Sequence, residues 1–172
     1  MRKVIVIGCP GAGKSMFSIA LHALEELPLF HLDRLYWNAD KTTAEKAVFL
    51  GRLQSVLDTD AWIIDGNYAS TMEMRMNVCD TVFFLDYPAE VCLEGIRQRR
   101  GKSRPDMPWI EEEEDEELTA FVGNYQEKQR PAVMALLERH REKQIIIFRS
   151  RREAKDWLLK REEEKSESAK EK

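Results

Sequence analysis

Residues Gly8 to Ser15 read GCPGAGKS, directly after the apolar run Val4-Ile5-Val6-Ile7. The spacing is G-x-x-x-x-G-K-[ST] in the context such a loop needs, with a buried strand before it and a helix-compatible stretch, Ser15 to Leu24, after it. Gly8, Gly11 and Gly13 let successive backbone N–H groups converge on a phosphate with no Cβ in the way, and Pro10 and Ala12 complete the cradle. The following helix adds its N-terminal partial positive charge. Lys14 would reach the β- and γ-phosphates of ATP, and the Ser15 hydroxyl would ligate Mg²⁺. A chance Gly-rich turn is the competing reading. Strand, spacing, Lys and Ser together argue against it.

At 172 residues the chain suits one domain with a substantial core. A net charge of −4 argues against a protein held mainly by a nucleic-acid backbone, although a local basic patch stays open. Cys9, Cys79 and Cys92 are odd in number and lack C-x-x-C spacing, which suggests neither a disulfide framework nor a zinc site. A reduced, cytoplasmic protein is expected. No apolar stretch approaches the ~18 residues of a membrane span, and the N-terminus enters a strand at once, so no signal peptide is expected.

Apolar runs of strand length recur at Lys3–Ile7, Leu29–His31, Ala61–Ile64, Thr81–Leu85 and Gln144–Phe148. Helical spacing separates them. Ala47, Leu50, Leu53 and Leu57 fall three and four apart, and Val133, Met134, Leu136 and Leu137 do the same within Pro131–Arg141. Continuous apolar strands alternating with helices predict an α/β fold, a parallel sheet covered on both faces. Ligands of such sheets bind beyond the carboxyl ends of the strands. Two segments depart from the alternation. Residues 97–117 begin basic, pass through Pro105 and Pro108, and turn acidic from Glu111 to Glu117, read as a solvated face. Residues 161–172 lack an apolar face and are expected to be a charged, disordered tail.

The strand ends carry the chemistry. His31-Leu32-Asp33, Asp65-Gly66-Asn67-Tyr68, Asp86-Tyr87-Pro88 and Arg149-Ser150-Arg151 each follow a strand. A carboxylate there can hold Mg²⁺ through water or take a proton from a substrate hydroxyl. The competing role for an Asp is a helix N-cap. That role is preferred for Asp86, whereas Asp33 and Asp65 are read as functional. Arg99, Arg100 and Arg104 flank Gly101, a possible hinge, and a lid closing over ATP would bring their guanidinium groups to the phosphates. Arg75 could clamp a substrate anion bidentately. Arg130 stands before Pro131 at a helix start and joins the acceptor set.

These stretches carry a resemblance. The phosphate loop, "HLDRLYW", "WIIDGNYASTMEMR", "VFFLDYP", "GKSRPDMP" and "IIIFRSRREAKDWL" resemble the bacterial DNA topology modulation proteins over about residues 1–160. Those proteins sit within the adenylate-kinase-like, nucleoside monophosphate kinase group of P-loop proteins. The resemblance implies a three-layer P-loop fold whose five-stranded parallel sheet has the order 2-3-1-4-5. It also implies a mobile substrate segment near 33–60 and a small lid near 99–118. Asp65 would then lie by the metal, with Arg75, Asn67 and Tyr68 near the acceptor. Asp33 would bind the acceptor, and Ser150 and Arg151 would border the base. The chain departs from the pattern at Met16, where many relatives place a Thr that can reach the α-phosphate. It departs again after Asp-Gly, where the Pro-Arg of adenylate kinases is missing, which counts against AMP as acceptor.

Three functions compete. The first is a small-molecule or nucleotide kinase that uses ATP and Mg²⁺ on a hydroxyl- or phosphate-bearing acceptor, with Lys14, Asp33, Asp65, Arg99 and Arg104 catalytic, Ser15 and Asp65 at the metal, and Arg100 on the nucleotide. The second is a nucleotide-dependent regulator that acts on DNA or a protein partner, although no helix-turn-helix signature or metal finger is present. The third, a GTPase, lacks both N-K-x-D and a D-x-x-G after the third strand.

Overall fold

The computed structural model describes residues 1–170. Five strands, β1 (Lys3–Gly8), β2 (Leu29–His31), β3 (Trp62–Asp65), β4 (Thr81–Leu85) and β5 (Gln144–Phe148), form one parallel sheet in the order β2-β3-β1-β4-β5. The expected strands match to within a residue at each end. The helices are α1 (Lys14–Glu25), α2 (Leu32–Tyr36), α3 (Lys46–Leu57), α4 (Ala69–Val78), α5 (Ala89–Arg99), α6 (Glu116–Gly123), α7 (Tyr125–Lys128), α8 (Arg130–Arg139) and α9 (Arg151–Lys170).

The central strand explains the layering. Val4, Ile5, Val6 and Ile7 are all fully buried. Successive side chains of a strand point to opposite faces, so a continuous apolar run must be covered on both. Ile5 and Ile7 join a cluster with Phe49 and Leu53 of α3, Met72 and Met76 of α4, and Leu136 and Leu137 of α8. Val4 and Val6 join the opposite cluster, with Phe17 and Leu21 of α1, Cys92 and Ile96 of α5, and Ala154 of α9. Phe17, Phe83, Phe148 and Trp157 form an aromatic group there, with ring centroids 4.8–6.3 Å apart. Truncating one such core residue costs about 3–5 kcal/mol. The three cysteine thiols are unpaired and buried.

The tail differs from its expectation. Residues 161–170 continue α9, and residues 171–172 lie outside the described residues. Arg161 pairs with Glu25 at 2.7 Å, and Lys165 pairs with the same carboxylate at 3.0 Å and donates to the Leu24 carbonyl. A helix polar all round is held by charge pairs rather than by an apolar stripe. Within the described residues no helix is long and apolar enough to cross a membrane.

Between α5 and α6, residues 100–115, within the stretch expected to act as a lid, are irregular chain, with the Gly101 amide donating to the Glu111 carbonyl. The acidic run following it is only partly a solvated face. Glu111 binds Arg99 and Arg104, Glu114 binds Arg100, and Asp115 caps α6 by accepting from the Leu118 amide.

Candidate active site

The site lies at the carboxyl ends of β1, β2 and β3, in a cleft of about 1700 Å³. Its floor is the loop from Pro10 to Met16. The loop approaches α5 closely because two glycines face each other. A Cβ on Gly11 would lie 2.0 Å from the Cys92 carbonyl oxygen, and one on Gly95 would lie 2.0 Å from the Gly11 carbonyl oxygen. Gly11 also has φ +82°, where other residues are strained. Gly95 was not singled out from the sequence, because nothing local marks a helical glycine as the partner of a distant loop.

Lys14 opens α1, and its ammonium donates to the Gly8 and Cys9 carbonyls at 3.0 and 3.2 Å. Burial, helped by the nearby Arg99 charge, holds its pKa below the usual lysine value against the pull of Asp33 and Asp65. The Ser15 hydroxyl donates to the Asp106 carboxylate at 2.8 Å. Met16 is 70 % exposed at the cleft.

Register brings the next pair together. His31 ends β2 and Asp65 ends β3, and the two are direct partners in the ladder. Imidazole Nδ1 lies 2.9 and 3.0 Å from the two Asp65 oxygens. Burial alone would depress the His31 pKa, but the hydrogen bond and charge of Asp65 outweigh it and raise the value. Asp33, in the short α2, accepts from the Tyr68 hydroxyl at 2.7 Å. Burial pushes the Asp33 carboxyl above its usual range, with the charges of Asp106 and Asp65 adding to it and Tyr68 and Lys14 opposing. Tyr68 adopts φ +33°, a left-handed conformation that costs a side-chain-bearing residue about 1–3 kcal/mol.

Arg75 explains how that loop persists, and it overturns the expected anion clamp. The side chain is fully buried. Its guanidinium donates to the Gly66 carbonyl at 2.9 Å and to the carbonyls of Asn67 and Tyr68. Burial draws its pKa down to about 10. Arg75 fastens the loop from within and does not border the cleft. Asn67 does border it, and its Oδ1 accepts from the Gly8 amide at 3.0 Å, locking this loop to the phosphate loop.

Arg99, at the end of α5, and Arg100 and Arg104, in the segment after it, all border the cleft. Arg99 pairs with Glu111 at 2.9 Å, Arg100 with Glu114 at 3.2 Å, and Arg104 with Glu111 at 3.4 Å and Asp106 at 3.7 Å. Arg151 also borders the cleft, donating to the Gly11 and Val91 carbonyls. Two candidates fall elsewhere. Arg130 sits in a separate hollow with Asp86 and Arg149, its Nε 2.9 Å from both Asp86 oxygens. Ser150 is absent from the cleft lining, and its hydroxyl accepts from the Glu153 amide at the start of α9. The N-cap role preferred for Asp86 is also replaced: its carboxylate is buried between Arg130 and Arg149, and Pro88 occupies the cap position of α5.

His31 and Asp106 were not assigned from the sequence, although both lie in the quoted H-L-D and S-R-P-D-M stretches. Ser15 and Asp106 are 91 residues apart, and no local pattern announces such a pair.

No family model matches the chain, and no curated protein matches it. Among solved structures it is similar to a shikimate kinase from Bacteroides thetaiotaomicron, with TM-score 0.61 and 21 % identity over 93 % of this chain and 96 % of that one. It is also similar to a sugar kinase from Janibacter sp. HTCC2649, with TM-score 0.53 and 14 % identity over 93 % of this chain and 91 % of that one. The five-stranded sheet of order 2-3-1-4-5 is thus the P-loop kinase fold of these neighbours. At these identities the likeness concerns the fold. The resemblance to the DNA topology modulation proteins rests on the quoted motifs.

Proposed function

We propose that the protein is a kinase that transfers the γ-phosphoryl group of ATP to a small hydroxyl-bearing acceptor. The observation that carries this reading is one cleft bordered by Lys14, Ser15, Asp33, Asp65 and the lid arginines. Phosphoryl transfer needs little from a protein beyond positioning and charge neutralisation. The amides of residues 10–15 and the α1 N-terminus cradle the phosphates. Lys14 turns from its loop carbonyls to the β- and γ-phosphates. Arg99 and Arg104 neutralise the transferred group, and Arg100 and Arg151 border the nucleotide. Asp33 accepts the acceptor's hydroxyl proton, a role its raised pKa favours.

The residues fit Mg²⁺ in the way P-loop proteins use it. Among the described residues no three His, Cys, Asp or Glu side chains converge on a metal position. Ser15 and, through water, Asp65, both bordering the cleft, are the residues that would hold the ion. An ion held there would supply charge neutralisation to the phosphates. Three unpaired cysteines suit a reducing, cytoplasmic setting.

The test is calorimetric titration with ATP-Mg²⁺, followed by acceptor-dependent release of ADP. Lys14→Ala should lose tight ATP binding while remaining folded. Asp65→Asn should keep its ATP affinity and lose turnover, since a group that acts in the transition state contributes mainly to kcat. Wild-type ATP affinity in folded Lys14→Ala would remove the reading.

A further inference from the structure

The acceptor side of the cleft has a chemistry of its own, and its character names a substrate class. Trp37 and Trp109 meet edge to face there, with centroids 5.0 Å apart at 89°. Trp37 comes from the turn after α2, closed by a bridge to Thr43, and Trp109 comes from the lid. The aromatic surface continues inward through Tyr36, 5.2 Å from Trp37 and 5.0 Å from Tyr68. A large apolar wall with a few convergent polar groups is the usual composition of a small-molecule site.

The charge beside that wall is negative. Asp33, Asp65 and Asp106 all line the same cleft. Only one Asp33 oxygen is engaged by Tyr68. The guanidinium that was expected to meet an anion, Arg75, is spent on backbone carbonyls inside the fold. Arg34, on the same short helix as Asp33, donates to the Pro105 carbonyl and does not border the cleft. The lid arginines each hold a carboxylate. Lys41 on the Trp37 turn and Lys102 on the segment that carries Trp109 also border the cleft, and both are exposed on its rim as single ammonium groups with no guanidinium fork. A phosphate dianion entering here would face carboxylates and find no fork of N–H donors.

We propose that the acceptor is an uncharged or cationic polyol (a sugar, an aminosugar or an amino alcohol) whose hydroxyl binds Asp33 and whose C–H face lies on Trp37 and Trp109. An ammonium on such a molecule would gain from both the indole faces and the carboxylates. The acceptor oxygen bonds to the γ-phosphorus as the bond from that phosphorus to the β,γ-bridging oxygen breaks. ADP leaves with that electron pair, and the hydroxyl proton passes to Asp33. The inference rests on the kinase reading.

The experiment is a panel. Wild-type protein with ATP-Mg²⁺ is given neutral hexoses and hexitols, aminosugars and amino alcohols in one arm, and the five common nucleoside monophosphates in the other. Phosphorylated product is read by mass spectrometry, and binding by tryptophan fluorescence. Product from at least one polyol and from no nucleotide is expected. Trp37→Ala should then raise the acceptor KM about tenfold, about 1.4 kcal/mol, with the ATP KM unchanged. Trp109→Ala gives a second reading on the lid should Trp37→Ala fail to fold. Product from a nucleoside monophosphate would overturn the inference and leave the kinase reading standing. ATP binding with no polyol bound or phosphorylated would overturn it as well. Absence of ATP binding would remove the kinase reading and the inference with it.

Discussion

The Ser15 hydroxyl donates a 2.8 Å hydrogen bond to Asp106, joining the phosphate loop to the lid across 91 residues of chain. Asp106 is only 6 % exposed, and its cationic neighbour Arg104 stands at 3.7 Å. The contact ties the serine proposed for the metal to the segment between α5 and α6. Asp106→Ala is expected to release it at a cost of about 1.5–3 kcal/mol, the scale of a hydrogen bond to a charged group. Amides of residues 101–113 should exchange with deuterium faster by about tenfold or more, on the same energy scale, with core strands unaffected. Unchanged exchange across the lid would mean that other contacts hold it.

Arg75 holds three carbonyls of the loop that carries Tyr68. Arg75→Ala strips the Gly66 and Asn67 carbonyls of this donor, while the Tyr68 carbonyl keeps the Thr71 amide and hydroxyl, and the variant is expected to destabilise the fold by about 3–5 kcal/mol. Thermal denaturation should show a fall in Tm of about 10 °C or more. A variant of normal stability with only a raised acceptor KM would return Arg75 to the role of anion clamp.

The C-terminal end of α9 docks through Glu25. Burial alone would push the Glu25 carboxyl up, but the hydrogen bonds and charges of Arg161 and Lys165 outweigh it and hold it below its usual range. A depressed carboxylate pKa contributes stability that is present above the unfolded value and lost as pH falls through the folded one. Both cations are about a third or more exposed, so solvent screening limits the pair network to about 1 kcal/mol. Deleting residues 161–172 should lower Tm by about 2–4 °C at pH 7. The difference should be full above the normal glutamate pKa, about 4.3, and shrink progressively as pH falls below it toward the lower folded-state value. A deletion without effect at neutral pH would mean that the pairs contribute nothing.

DNA binding should be weak, salt-sensitive and without sequence preference. The basic run from Arg97 to Arg104 is the patch expected to carry it, and Glu94, Glu111 and Glu114 already hold Arg97, Arg99 and Arg100. Few phosphate contacts remain, so affinity should be lost by about 0.15 M salt. ATP-Mg²⁺ should compete, because it uses the same arginines. Tight, sequence-specific binding that survives high salt and ignores ATP would favour the regulator over the kinase.

The sheet could be read from the chain because its determinants are local. An apolar run such as Val4–Ile7 must be buried on both faces, and GCPGAGKS carries its own turn, donors and helix start within eight residues. The carboxylates after β2 and β3 followed from the same logic, since strand ends in a parallel sheet meet at one edge. The direction a side chain takes did not follow. Arg75 lies on a helix whose buried face is chosen by packing against β1 and α8, so an apparent anion clamp became an internal brace. Arg130 and Asp86 are 44 residues apart, and their pairing away from the cleft depends on where α8 crosses the sheet edge. The tail looked unable to fold because it has no apolar face, yet Glu25, brought alongside by α1, supplies the charge that Arg161 and Lys165 need. Spacing along a chain encodes periodicity and turn chemistry. Which charge meets which is decided only when distant elements pack, because a Coulomb or hydrogen-bond partner is chosen by distance in space.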